Sequence, residues 1–189
     1  LVPDVTISAN PGNTICAGTS VTFTAAPVNG GVTPVYQWQV NGGNVGTNSN
    51  TFTSTTLSNG QQVRCIMTTN VTCPSKIFDT SNVVIMTVNS LLTPAVTISI
   101  FSGSSICAGA NATFTATPTN GGASPSYQWK VNGVNSGTNS STFSTTTLTN
   151  GQVVTCVLTS NATCASPLTA TSNGITMTVN PVVVPDVTI

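Results

Sequence analysis

The chain has 189 residues, enough for one large domain or two of ordinary size, and only 3% of them are charged. Three Lys or Arg balance three Asp, and there is no Glu and no His. This composition excludes a basic nucleic-acid footprint and an electrostatic grip on anionic lipid, and it leaves solubility to Thr, Ser, Asn and Gln.

No run of 18 apolar residues occurs, so no membrane insertion is expected. Apolar residues alternate regularly instead of being depleted, which argues against disorder. The first residues, Leu1-Val2-Pro3-Asp4, carry neither an initiator Met nor a basic leader. Both ends fall mid-pattern, as expected of a piece of something longer.

In chain order, seven short strands are predicted over the first ninety residues. Val5–Ser8 is the first, and Ser20–Ala25 the second, with Val21, Phe23 and Ala25 on one face. Val35–Val40 is the third. Its Tyr36, Trp38 and Val40 alternate with Gln37 and Gln39, and Asn41-Gly42 closes it in a turn. Asn44–Thr47 is a short fourth, and Thr51–Thr56 a fifth containing Phe52. Val63–Thr68 is the sixth, with Val63, Cys65 and Met67 facing one way. Asn82–Val88 closes the set, and no stretch has a helical period.

The same pattern then returns. Pro3-Asp4-Val5-Thr6-Ile7 recurs 91 residues later as Pro94-Ala95-Val96-Thr97-Ile98, and again as Pro185-Asp186-Val187-Thr188-Ile189. Cys16, Phe23, Tyr36, Trp38, Cys65 and Cys73 match Cys107, Phe114, Tyr127, Trp129, Cys156 and Cys164 at that shift. A period this long predicts independently folded small domains: 1–90, 91–181 and the start of a third at 182–189. The second copy also resolves the last strand. Ile175, Met177 and Val179 alternate cleanly, so Val84, Met86 and Val88 are assigned inward, while Arg64 and Lys130 are outward. Tyr36, Trp38, Phe23, Tyr127, Trp129 and Phe114 are core residues on this reading. An all-β sandwich follows.

Gly18 to Ala25, then Trp38, then Val63-Arg64-Cys65 resembles strands B, C and F of an immunoglobulin-type sandwich. Trp38 takes the core tryptophan position and Cys65 that of the F-strand cysteine. Ala25 and Ala116 stand where the B-strand cysteine would be, so the usual inter-sheet disulfide cannot form. Ile15-Cys16-Ala17-Gly18, Tyr36 to Gly42, Leu57-Ser58-Asn59-Gly60-Gln61 and Asn70-Val71-Thr72-Cys73 together resemble immunoglobulin-like and PKD-like repeats of giant surface adhesins in gliding Bacteroidota, of the SprB type. The resemblance spans the whole chain. It implies head-to-tail immunoglobulin-like domains of about seven strands each, in a cell-surface filament exported by type IX secretion and serving cell adhesion or gliding motility.

Six cysteines in a chain expected outside the cell predict disulfides, yet three per repeat leaves one over. In the immunoglobulin layout Cys16 lies before strand B and Cys73 after strand F, at opposite poles. Those poles are roughly 20–27 Å apart at ~3.3 Å per strand residue. A disulfide needs Cα atoms within about 7 Å, which disfavours pairing inside one domain. Head to tail, Cys16 would approach Cys164 in an inter-domain staple. Cys73 and Cys107 would then be unpaired in this fragment and pair with repeats missing from it, and Cys65 and Cys156 would be buried thiols. A local Cys65–Cys73 bridge, or all thiols free, are the alternatives. Leu91 and Leu92, in a short apolar linker, are expected to be buried between neighbouring domains.

Catalytic chemistry has little to draw on. Without His or Glu there is no Ser-His-Asp set and no paired carboxylates, and the Asp residues are too sparse for calcium. Zinc would need His or closely spaced cysteines, so no metal or cofactor is expected. Phe78 and Phe101 break the repeat and are expected at the surface, while Asn70, Asn111, Asn139 and Asn161 lie in glycosylation-type sequons. The expected function is that of non-enzymatic stalk domains holding an adhesive region away from the cell, with neighbouring repeats as partners. The alternatives are repeats that bind surface glycans multivalently, lateral self-association, or accessory modules of a secreted polysaccharide-degrading enzyme.

Overall fold

A computed structural model describes residues 1–185, so Asp186, Val187, Thr188 and Ile189 of the expected third repeat lie outside the described residues. The described chain is all-β and divides into two compact units, Leu1–Leu91 and Leu92–Ile189. Among the described residues no helix is long and apolar enough to cross a membrane.

Unit 1 contains β1 (Asp4–Asn10), β2 (Thr14–Cys16), β3 (Val21–Val28), β4 (Val35–Val40), β5 (Gly43–Val45), β6 (Thr51–Ser54), β7 (Gln62–Thr68), β8 (Phe78–Thr80), β9 (Val84–Ile85) and β10 (Thr87–Asn89). One sheet has the order β1-β3-β6. The other runs β5-β4-β7-β8, with β9 also on β7. A parallel pair joins β2 to β10.

The period-2 pattern explains why these sheets face each other. Val5 and Ile7 of β1 and Val21, Phe23 and Ala25 of β3 share a buried cluster with Tyr36 and Trp38 of β4 and Val63, Cys65 and Met67 of β7. The two sheets therefore form a sandwich around one core. Phe23, Phe52 and Trp38 meet there, with ring centroids 5.9–6.3 Å apart. Stacked and tilted arrangements at this separation are favourable for aromatic quadrupoles. The indole N–H, which burial would otherwise leave unpaired, donates to the Ser49 carbonyl at 2.9 Å.

Unit 2 repeats this with β11 (Ala95–Ile100), β12 (Ser105–Cys107), β13 (Ala112–Thr119), β14 (Ser126–Val131), β15 (Val134–Ser136), β16 (Thr142–Thr145), β17 (Val153–Thr159), β18 (Thr169–Thr171), β19 (Ile175–Thr176) and β20 (Thr178–Asn180). Its sheets follow β11-β13-β16 and β15-β14-β17-β18, with β12 parallel to β20. Phe114, Phe143 and Trp129 rebuild the aromatic cluster, and Trp129 donates to the Ser140 carbonyl at 2.9 Å.

Each unit has ten strand segments where seven strands were expected. The expected last strand, Asn82–Val88, is interrupted into β9 and β10, while β2 and β8 were not expected: β2 follows Pro11 and Gly12, leaves β3 and pairs with β10, and β8 pairs with β7. Opposite β7 the register runs from Ile66↔Thr80 to Val63↔Val84, so one extra residue bulges out around Asn82. Cys16 was expected in a turn before the second strand, and it lies on β2.

The bulge has a structural use. Asn82 accepts from the Ile7 amide at 2.7 Å and donates to the Ile7 carbonyl at 3.2 Å. A side-chain amide thus imitates a strand neighbour for the free edge of β1 and ties one sheet to the other. Asn173 does the same for Ile98. The neighbouring Ser81 hydroxyl accepts from the Cys65 amide at 3.0 Å, and Ser172 from that of Cys156 at 2.9 Å. These bonds satisfy backbone donors that the interrupted strand leaves open.

Candidate functional site: the cysteine-bearing ends of each unit

Two ends of each unit are built differently. At one, the loop between β7 and β8 meets the loop between β3 and β4. The Asn70 amide donates to the Gly30 carbonyl, and the Thr69 hydroxyl to the Asn29 carbonyl at 2.9 Å. The chain start is held here too, because Ser75 N–H and Oγ both donate to the Leu1 carbonyl. Cys73 sits in this loop with φ of 56°, exposed. Cys164 holds the matching place in unit 2, with φ of 65°. Its carbonyl accepts from the Leu92 amide at 2.9 Å, and the Ser166 amide donates to the Leu92 carbonyl at 2.8 Å.

At the other end, Cys16 stands opposite Asn89 in the β2–β10 register, and the Ala17 amide donates to the Asn89 carbonyl at 2.9 Å. Cys107 stands opposite Asn180 with the same bond from Ala108 at 2.8 Å. The motif Leu57 to Gln61 closes this end. Leu57 is buried, Gln61 accepts from the Ser58 amide, and Asn59 accepts from the Val88 amide.

Cys16 and Cys164 are disulfide-bonded, whereas Cys65, Cys73, Cys107 and Cys156 are free thiols. Cys65 and Cys156 are fully buried, each opposite the core tryptophan of its unit. Burial pushes both thiols up to about 11, because a thiolate there would lose its hydration. They are packing residues with suppressed reactivity. A bridge from Cys65 to Cys73 is not formed.

The other expected positions separate clearly. Trp38, Trp129, Phe23 and Phe114 have no exposed surface and Tyr36 is buried, while Tyr127 is half-buried at the rim. Both tyrosine hydroxyls are shifted up by burial. Phe78 and Phe101 are exposed. Leu91 and Leu92, expected to be buried, are 52% and 36% exposed. For Leu92 the backbone is the engaged part, held by Cys164 and Ser166 and bridged to Ala165, and this leaves its side chain outward.

Three of the four sequon asparagines are committed to backbone bonds. Asn70 accepts from the Thr33 amide, Asn139 from Tyr127 and Asn161 from Ser124. A shallow depression of about 320 Å³ is lined by Ala9, Gly12, Asn13, Val83, Val84 and Ile85, and holds no acid, base or nucleophile. Among the described residues no group of three His, Cys, Asp or Glu could hold a metal ion. Sequence reading missed the clamp roles of Asn82 and Ser81, although each recurs at the 91-residue shift as Asn173 and Ser172. That recurrence was the available signal. No family model matches the chain, and no curated protein matches it.

Proposed function

We propose that the chain is a run of load-bearing spacer domains in an extracellular bacterial adhesin, keeping an adhesive region away from the cell surface for attachment or gliding. The observation that carries this reading is the disulfide-bonded state of Cys16 and Cys164. Cys16 lies beside Asn89, where the chain leaves unit 1, and Cys164 holds Leu92, where it enters unit 2. Only three residue steps separate Asn89 from Leu92, at most about 11 Å of chain. A Cys16–Cys164 bond would clamp that connection covalently and let tension bypass the linker. The large low-charge, hydroxyl-rich surface supports an extracellular setting, as does the disulfide itself. The adhesin assignment rests on the motif resemblance.

Non-reducing peptide mapping of the secreted protein, with single-molecule stretching before and after reductant, tests the reading. A Cys16–Cys164 peptide and a force extension that lengthens on reduction are expected. Free Cys16 and Cys164 in the secreted protein, with no effect of reductant on extension, would overturn it.

A further inference from the structure

The clamp asparagines of the two units differ in the residue that follows them. Asn82 precedes Val83, whereas Asn173 precedes Gly174. A swap of bulk goes with this difference. Gln62 of unit 1 is matched by Val153 in unit 2, and a Cβ at Gly174 would stand 3.0 Å from Val153 Cγ1. Packing thus favours glycine at 174, and the glycine changes the chemistry open to the residue before it.

An asparagine side chain can close on the next backbone nitrogen. The nitrogen attacks Cγ and loses its proton, the Cγ–Nδ2 bond breaks, and ammonia leaves. Water then opens the cyclic imide to aspartate or isoaspartate, so the net change is a water gained and an ammonia lost. A β-branched side chain crowds the attacking nitrogen, and glycine leaves it open. The sequence has seven Asn-Gly pairs, and six carry an added restraint. Asn29, Asn41, Asn120 and Asn132 are held in turns with left-handed φ of 50–52°. After Asn59 and Asn150, the Gly60 and Gly151 amides are spent on the Met86 and Met177 carbonyls at 2.8 Å.

Asn173 has no left-handed φ, and among the described residues the Gly174 amide has no such acceptor. The residue is exposed, and its side chain is held by the Ile98 amide at 2.8 Å and the Ile98 carbonyl at 3.1 Å. Both partners lie on β11, an edge strand of its sheet, where local opening costs least.

We infer that Asn173 is a self-modification site, and that its deamidation releases the clamp of unit 2 while the clamp of unit 1 stays intact. The clamp uses both ends of the side-chain amide. Aspartate keeps an acceptor for the Ile98 amide, but it replaces the donor to the Ile98 carbonyl with a charged oxygen. Isoaspartate also lengthens the main chain by one carbon at the bulge. By contrast, Asn41, Asn59, Asn132 and Asn150 accept from backbone amides, a role that aspartate retains. The inference goes beyond the spacer reading and does not depend on it. The first strand of unit 2 carries a chemical clock that the first strand of unit 1 lacks.

The test incubates the full folded chain in mildly alkaline buffer. Peptide mapping that separates aspartate from isoaspartate is combined with hydrogen exchange. Conversion at Asn173 should exceed that at Asn82 many-fold. Exchange at the Ile98 amide should rise in step with it, while exchange at Ile7 stays constant. Asn173→Asp should reproduce the loss at Ile98 without incubation. Gly174→Val with Val153→Gln, which restores the side chains of unit 1 at these places, should slow the conversion many-fold and keep Ile98 protected. Three results would overturn the inference: Asn173 intact in the folded chain while it converts in denaturant, Asn82 converting as fast, or conversion that leaves Ile98 protection unchanged. Equal conversion in the Gly174→Val, Val153→Gln variant would remove the role given to the glycine and overturn it as well.

Discussion

The two units are alike where they are buried and different where they are exposed. Trp38 and Trp129 have the same neighbours, the same indole acceptor and the same cysteine across the strand. Asn82 and Asn173 make the same paired bonds to the first strand. The loops diverge: the positions of Lys76, Phe78 and Asp79 in unit 1 are held by Pro167, Thr169 and Ala170 in unit 2. A shared core with separate surfaces means that the fold is specified once, by packing and a few polar clamps. The ends are then free to be tuned for what each unit meets.

The largest break in this equivalence is expected from the core. Trp38→Ala or Trp129→Ala removes a fully buried indole that touches two aromatic rings, and each should cost about 3–5 kcal/mol in its own unit. Hydrogen exchange at the β4 and β14 amides under increasing denaturant reads the stability of each unit separately. Equal losses from the two substitutions would show the cores to be interchangeable; losses differing by more than about 2 kcal/mol would show that they are not.

A smaller and more specific loss should follow removal of the serine clamps. Ser81→Ala leaves the buried Cys65 amide without its acceptor, and Ser172→Ala does the same for Cys156. An unsatisfied buried donor costs about 1–3 kcal/mol. Hydrogen exchange at the Cys65 or Cys156 amide should accelerate in the altered unit only. Unchanged protection would mean that another acceptor had replaced the hydroxyl.

These clamps mark the limit of what the sequence made legible. Alternation identified the core because the inward positions of β3, β4 and β7 are apolar and their neighbours are not. Trp38, Phe23 and Met67 could be placed from the pattern alone, and comparing the copies settled Met86. Polar clamps leave no such trace. Asn82 and Ser81 stand in a chain crowded with Asn, Ser and Thr, where residue type does not separate a strand mimic from a surface residue. Strand interruption was hidden for the same reason. Hydrophobic alternation passes through Val84, Met86 and Val88 unbroken, although the hydrogen-bond partner changes from β7 to β2 between Ile85 and Thr87. The cysteine positions were legible as a repeat, but Leu91 and Leu92 were misread because hydrophobicity alone does not tell an anchored backbone from an anchored side chain.

The smallest expected effect separates the units by pH. In unit 1 Asp79 bonds Lys76 and accepts from the Val5 amide at 3.0 Å, so its carboxyl lies below the usual range, chiefly through the lysine. A lowered folded-state value stabilises only while the carboxylate is ionised. The contribution is full above the unfolded value of about 3.9 and fades as pH falls through the lower folded value. Ala170 gives unit 2 no counterpart. Between pH 5 and pH 2 the Val5 amide should therefore gain exchange relative to Val96, once intrinsic rates are normalised. Asp79→Ala should remove that difference at a cost of about 1 kcal/mol or less, since the Lys76 side of the ion pair is 45% exposed and screened by solvent. If Val5 and Val96 instead lose protection together on acidification, the carboxylate adds nothing to the edge that Asn82 already holds.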